Sequence, residues 1–120
     1  MAVTAEGDRL NKKTGRKGEK QACAYLKKQG YKILESGFRT PFGEVDIVAK
    51  REDVIVFTEV KTRLSDTFGA PCEAVDERKK FRYRQSAKYY FAGRQIDVTV
   101  RFDVIEIYRG EINHIENAFF

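Results

Sequence analysis

The chain has one histidine and two cysteines in 120 residues, and that scarcity removes whole classes of chemistry before any motif is read. Cys23 and Cys72 stand far apart, and the one histidine, His114, falls in a predicted C-terminal hairpin. That inventory supports neither a structural zinc site, which draws several Cys or His ligands together, nor a Cys/His or Ser/His/Asp nucleophile. The N-terminal segment lacks the apolar stretch of a secretory signal, and no apolar run is long enough to cross a bilayer. No internal repeat or low-complexity tract is visible. The resulting expectation is a reduced, cytoplasmic setting with no membrane partner, in which carboxylates and amines carry any chemistry.

What the chain does have is charge of both signs and strong apolar patterning. Lys and Arg number 23 against 18 Asp and Glu, giving a net charge of +5 and a pI near 9.2. An excess of that size permits an anionic partner, and its placement matters more than its magnitude. The length suits one domain with one core. Residues 1–11 are polar and aperiodic and read as a disordered lead-in, and residues 12–120 read as a single domain.

From about Thr14 to Gln29, Ala22, Cys23 and Leu26 recur at helical spacing, with Gly30 as a stop. Tyr31 to Glu35 reads as a short strand, and Gly37, Pro41 and Gly43 are turn signals. Two apolar runs flank the charged segment Arg51-Glu52-Asp53 and predict a hairpin. In its second strand Val54, Val56 and Val60 face one way and Ile55 and Phe57 the other, as in a sheet covered on both sides. Leu64 to Val75 reads as a loop whose Phe68-Gly69 bend lies over a cleft or simply connects. Asp76 caps a predicted helix from Glu77 to about Ala92, closed by Gly93, with Tyr83, Ala87, Tyr90 and Phe91 as its apolar stripe. Val98 to Tyr108 and Ile112 to Ile115 are the last predicted strands. Helix, three strands, helix, then one or two strands predicts an α/β fold with one mixed sheet flanked by helices.

The chemistry-bearing residues concentrate between Gly43 and Arg63. Side chains two apart on a strand share a face, so Glu44 lies beside Asp46 and Glu59 beside Lys61. A hairpin loop of even length sets Asp46 opposite Glu59, whereas one of odd length sets Asp46 opposite Thr58 and turns Glu59 to the other face. Glu19 joins Ala22, Cys23 and Leu26 on the inward side of the first helix. Acids clustered in this way repel without a cation. The pattern therefore predicts a Mg²⁺ site, with Mn²⁺ able to substitute, held by Asp46, Glu59 and Glu19. Lys61 would orient or deprotonate a water for phosphodiester hydrolysis, with Glu44 and Gln85 in support. The competing reading makes Glu59 and Lys61 a strand-surface charge pair and Glu19 a partner of the helix dipole.

Basic residues form two patches. Lys80, Arg84 and Lys88 recur at i, i+4, i+8 on the second helix, with no acid between Arg78 and Lys88, and Arg9, Lys12, Lys13, Arg16, Lys17 and Lys20 gather at the first. Arg16, Lys17, Arg63, Lys80, Arg84 and Lys88 are the candidate nucleic-acid contacts, giving salt-sensitive binding without base specificity; an ordinary solvated face explains the same residues. Tyr83 and Tyr90 read as core, Arg101 and Asp103 as a structural ion pair. Gln85 and Tyr89 match a Q-x-x-x-Y helix motif of RecB-like nucleases.

Taken together, Gly15-Arg16-Lys17-Gly18-Glu19, Gly30-Tyr31, Phe38-Arg39, Gly43-Glu44-Val45-Asp46, Phe57-Thr58-Glu59-Val60-Lys61-Thr62-Arg63, Phe68-Gly69, Ala74-Val75 and Arg101-Phe102-Asp103 resemble the bacterial YraN-like family, within the PD-(D/E)xK, or restriction-endonuclease-like, nuclease superfamily. The resemblance covers most of the chain. The helix acid, strand Asp and Glu-x-Lys are also similar to those of archaeal Holliday-junction resolvases. It implies a metal-dependent endonuclease core with Glu19, Asp46, Glu59 and Lys61 as the active-site set, and DNA rather than RNA as substrate, branched DNA included. A homodimer is implied by the same analogy. One departure is that Val45, not proline, precedes Asp46. The alternative is a non-catalytic nucleic-acid-binding or assembly module that keeps the fold.

Overall fold

The computed structural model describes residues 5–63, 76–94 and 97–118, with side chains from residue 15 onward. Helix α1 spans Ala5–Lys28, and strands β1 (Lys32–Thr40), β2 (Gly43–Arg51) and β3 (Val54–Arg63) follow. Helix α2 spans Glu77–Phe91, and strands β4 (Thr99–Tyr108) and β5 (Glu111–Ile115) complete the order. The strands form one sheet in sequence order. Pairing is antiparallel except between β3 and β4, which run parallel. A parallel neighbour requires a crossover, and α2 lies in that connection. The α/β expectation holds, as a mixed five-stranded sheet with two helices. Among the described residues no helix is long and apolar enough to cross a membrane.

Period-two alternation in the strands divides the core into two layers. On one side Val56, Ile105, Ile47 and Ala49 pack beneath Ala22 and Leu26 of α1. On the other, Ile55, Phe57 and Val104 pack beneath Tyr83 and Ala87 of α2. Phe57 is fully buried and meets Tyr90, Phe91 and Phe102 at centroid separations of 5.7, 5.9 and 5.8 Å. Truncating a residue so placed to alanine costs about 3–5 kcal/mol. Asp76 caps α2 as its sequence suggests, its carboxylate accepting from Lys79 N–H at 2.9 Å.

Two boundaries differ from the sequence expectation. Helix α1 begins at Ala5, so residues 5–11 of the expected lead-in are helical, a stretch whose sequence has no apolar stripe to mark it. Strand β1 runs to Thr40 and passes through Gly37, which is not a turn between elements. Ser36 pairs with Ile47 and Phe38 with Val45, so Gly37 lies across from Asp46. Its φ of +65° lies in the left-handed region that favours glycine, and a Cβ there would sit 3.1 Å from Glu44 Oε1. The expected loop from Leu64 to Val75 lies outside the described residues.

Candidate active site

The hairpin register decides whether the acids meet. Arg51 pairs with Val54 across a two-residue turn and Ile47 with Thr58, so the register brings Asp46 level with Glu59, as the even-loop alternative requires. Beyond Ile47 the regular alternation of β2 breaks. Val45 and Val48 both belong to the α2-side layer, while Ile47 and Ala49 belong to the α1 side. At this break Asp46 Oδ2 accepts a 2.8 Å hydrogen bond from Val60 N–H, which ties the carboxylate to the peptide following Glu59.

Helix α1 brings in the third acid. Gly18 is buried against the end of β3, and a Cβ there would collide with Thr62 Oγ1. The lack of a side chain at Gly18 thus lets Glu19 reach the strand ends. Burial raises the Glu19 carboxyl above its ordinary value, reinforced by the charges of Glu44 and Glu59. Asp46 is pushed up to about 7, first by burial and then by Glu59, with smaller contributions from Glu19 and Glu44 that outweigh the opposing Val60 hydrogen bond. Glu19, Glu44, Asp46 and Glu59 therefore lie within one another's fields, and the negative charge around Asp46 exceeds what the neighbouring donors offset.

Glu59 is held differently, from α2. Lys79 Nζ donates to its Oε1 at 2.9 Å and the Tyr83 hydroxyl to its Oε2 at 2.6 Å. Burial and the Glu59 charge keep the Tyr83 hydroxyl protonated and hence a donor. Tyr83 is core as expected, but its hydroxyl also serves the site, and Lys79, which is not among the candidate residues of the sequence analysis, joins it. The signal was present in the spacing, because Lys79, Tyr83 and Ala87 recur at i, i+4, i+8 and share the buried stripe. The cation on Glu59 is thus Lys79, which corrects the surface pairing of Glu59 with Lys61.

The remaining candidates are spread around this cluster. Lys61 follows Glu59 by two residues on the same strand face, exposed to solvent and in register with Glu106 of β4. Arg63 is drawn into an ion pair with Glu106 at 3.1 Å, and Lys80 pairs with Glu77 at 3.3 Å. Arg84 and Lys88 remain exposed and, with Gln85, line a groove of about 490 Å³ between α2 and β4. Gln85 is therefore in the groove wall. Arg16 and Lys17 are exposed on α1. A hollow of about 440 Å³ opens beside Glu19, lined by Arg16, Lys20 and Lys27 together with Cys23, Ala24 and Ser36. The side chains of Arg9, Lys12 and Lys13 lie outside the described residues.

The donor set suits a hard divalent ion in kind, since every candidate ligand is a carboxylate oxygen and the local negative charge is undercompensated. It is not a finished cage: among the described residues no three His, Cys, Asp or Glu side chains form a ready metal-binding group. Asp46 and Glu59 carry the fit, with Glu19 approaching from α1, and the rest of an octahedral shell would fall to solvent and to substrate oxygens.

A five-stranded mixed sheet flanked by two helices, with acids gathered where its central hairpin meets the first helix, is consistent with a restriction-endonuclease-like core. The chain belongs to the UPF0102 family, the YraN-like proteins: the profile described as "Uncharacterised protein family UPF0102" matches residues 18–107. A UPF0102 protein of Clostridium acetobutylicum is 53% identical over 118 residues, covering 92% of this chain and 97% of the relative. One from Thermodesulfovibrio yellowstonii is 53% identical over 106 residues, covering 88% and 95%. A third, from Clostridioides difficile, is 49% identical over 112 residues, covering 91% and 98%.

Proposed function

We propose that this protein is a divalent-cation-dependent endonuclease of the PD-(D/E)xK type that hydrolyses phosphodiester bonds in DNA, branched DNA included. The observation that carries the reading is the convergence of Asp46, Glu59 and Glu19 around a carboxyl raised to about 7, a charge pattern that a bound cation relieves. Mg²⁺ is the ion of choice, with Mn²⁺ as its substitute. A bound ion would supply charge neutralisation at the scissile phosphate and favour ionisation of an attacking water.

The chain's own residues divide the work. Asp46, fixed by Val60 N–H, and Glu59 would hold the ion, with Glu19 as a further carboxylate from α1. Lys61 extends past Glu59 on the same face, where its ammonium positions the attacking water and the phosphate it approaches. Arg16, Lys20 and Lys27 around the hollow, and Arg84 and Lys88 on α2, neutralise backbone phosphates on either side. A homodimer is the assembly expected on a four-way junction, which offers two equivalent strands related by two-fold symmetry.

A second reading, a nucleic-acid-binding or assembly module without catalysis, is favoured by one observation: both oxygens of Glu59 are already engaged by Lys79 and Tyr83. Incubating the protein with labelled linear, flap, fork and four-way-junction DNA, with Mg²⁺, Mn²⁺ or chelator, separates the two. Cation-dependent cleavage that falls by about a thousandfold in Asp46→Ala and Lys61→Ala, with DNA affinity retained, is the expected result. Binding without cleavage on every substrate would establish the second reading.

A further inference from the structure

Helix α2 places two donors on one carboxylate of the site. Lys79 stands in the first turn of α2, its backbone N–H fixed by the Asp76 cap, and its ammonium meets Glu59 Oε1 at 2.9 Å with both side chains largely shielded from water. Tyr83, one turn on and 3% exposed, holds Oε2. Tyr83 is neutral and fixes where the carboxylate points. Lys79 is charged and sits where a cation shared by Glu59 and its acidic neighbours would compete with it. A lysine stem is flexible and its ammonium binds phosphate as a point charge, so Lys79 has a second partner available whenever a phosphate backbone lies along the basic residues of α2.

Resting on the nuclease reading, we propose that Lys79 is a built-in counter-cation that guards Glu59 and hands it over to the divalent ion when a nucleic-acid phosphate takes the ammonium. Tyr83 keeps its bond throughout and is a positioning residue. The consequence is reciprocal coupling: nucleic acid strengthens cation binding and the cation strengthens nucleic-acid binding, because each removes the same internal competitor. The site is then restrained until substrate is seated. The device lies in α2, outside the Asp and Glu-x-Lys strands.

The test is Mn²⁺ affinity, measured by calorimetry and by electron paramagnetic resonance in the absence of nucleic acid. Parent protein, Lys79→Met, Lys79→Arg and Glu59→Gln are compared, with thermal unfolding to show that each is folded. Lys79→Met is expected to bind Mn²⁺ about tenfold more tightly than the parent, Lys79→Arg to match the parent, and Glu59→Gln to lose most of the binding. In a companion titration with junction DNA and Ca²⁺, which supports binding without turnover in many Mg²⁺ enzymes, the ion should sharpen DNA affinity in the parent and much less in Lys79→Met. Unchanged or weakened Mn²⁺ binding in Lys79→Met, with Glu59→Gln still defective, would overturn the guarding role and leave the nuclease reading standing. Equal Mn²⁺ binding by parent and Glu59→Gln would overturn both.

Discussion

Two carboxylates in this molecule, the half-buried Asp46 and the fully buried Asp103, are treated in opposite ways. Asp103, on the α1 side of β4, is fully buried and surrounded by donors. Arg101 reaches both of its oxygens at 2.9 and 2.8 Å, His114 Nε2 lies 2.7 Å from Oδ2, and Asn117 N–H donates at 3.0 Å. Burial pushes Asp103 upward, but the bonds from His114, Arg101 and Asn117 outweigh it and hold the carboxyl below its ordinary value. Asp46 receives one backbone N–H and faces three further acids, and its carboxyl rises. A buried acid that the fold has fully satisfied is a structural element; one left short of positive charge is poised to accept a cation. The same contrast assigns roles to the two charged strands without appeal to motif.

The largest effect that would break this comparison is at Asp103. Asp103→Ala strands the Arg101 guanidinium and His114 against the core, and should cost about 3–5 kcal/mol in denaturant unfolding. A loss below about 1 kcal/mol would mean that the network is ornamental. Asp46 should respond in the other direction. Its folded-state pKa of about 7 stands above the ordinary 3.8, so the native state holds that proton more tightly than the unfolded chain does. The stabilisation is complete below pH about 4 and is lost as the pH rises through 7. Asp46→Asn removes the titrating group and should be more stable than the parent by about 2 kcal/mol at pH 8 without divalent ions, the advantage shrinking toward pH 4. Unfolding curves of the two proteins across that window measure it. The smallest effect is expected at Gly37, where Gly37→Ala places a side chain at positive φ beside Glu44 and should cost about 1–2 kcal/mol.

The sequence disclosed the elements with strong periodicity or caps. The Asp76 cap, the apolar stripe of α2 and the alternation of Val54 to Val60 rest on local rules, and they appear in the structure where those rules place them. The hairpin was legible to within a choice: the pattern allowed two registers, and the two-residue turn selected the one that aligns Asp46 with Glu59. Gly37 was not legible, because a glycine within a strand and a glycine in a turn look alike until the partner strand is known. Lys79 escaped for a related reason. A lysine flanked by Arg78 and Lys80 reads as solvated surface; its spacing from Tyr83 and Ala87 sets it on the inward stripe, but that it meets Glu59 follows from the docking of α2 over β3, a long-range fact. Arg63 and Lys80 illustrate the converse, since basic residues that suggest a free anion-binding surface are engaged by Glu106 and Glu77.

The most direct measurement is the titration of the Asp46 carboxyl carbon by nuclear magnetic resonance, with and without Mg²⁺. The convergence of acids predicts a midpoint near 7 in the ion-free protein, shifting well below that as Mg²⁺ saturates the site and the proton is displaced. A midpoint in the ordinary aspartate range, unmoved by Mg²⁺, would contradict the existence of a shared cation pocket.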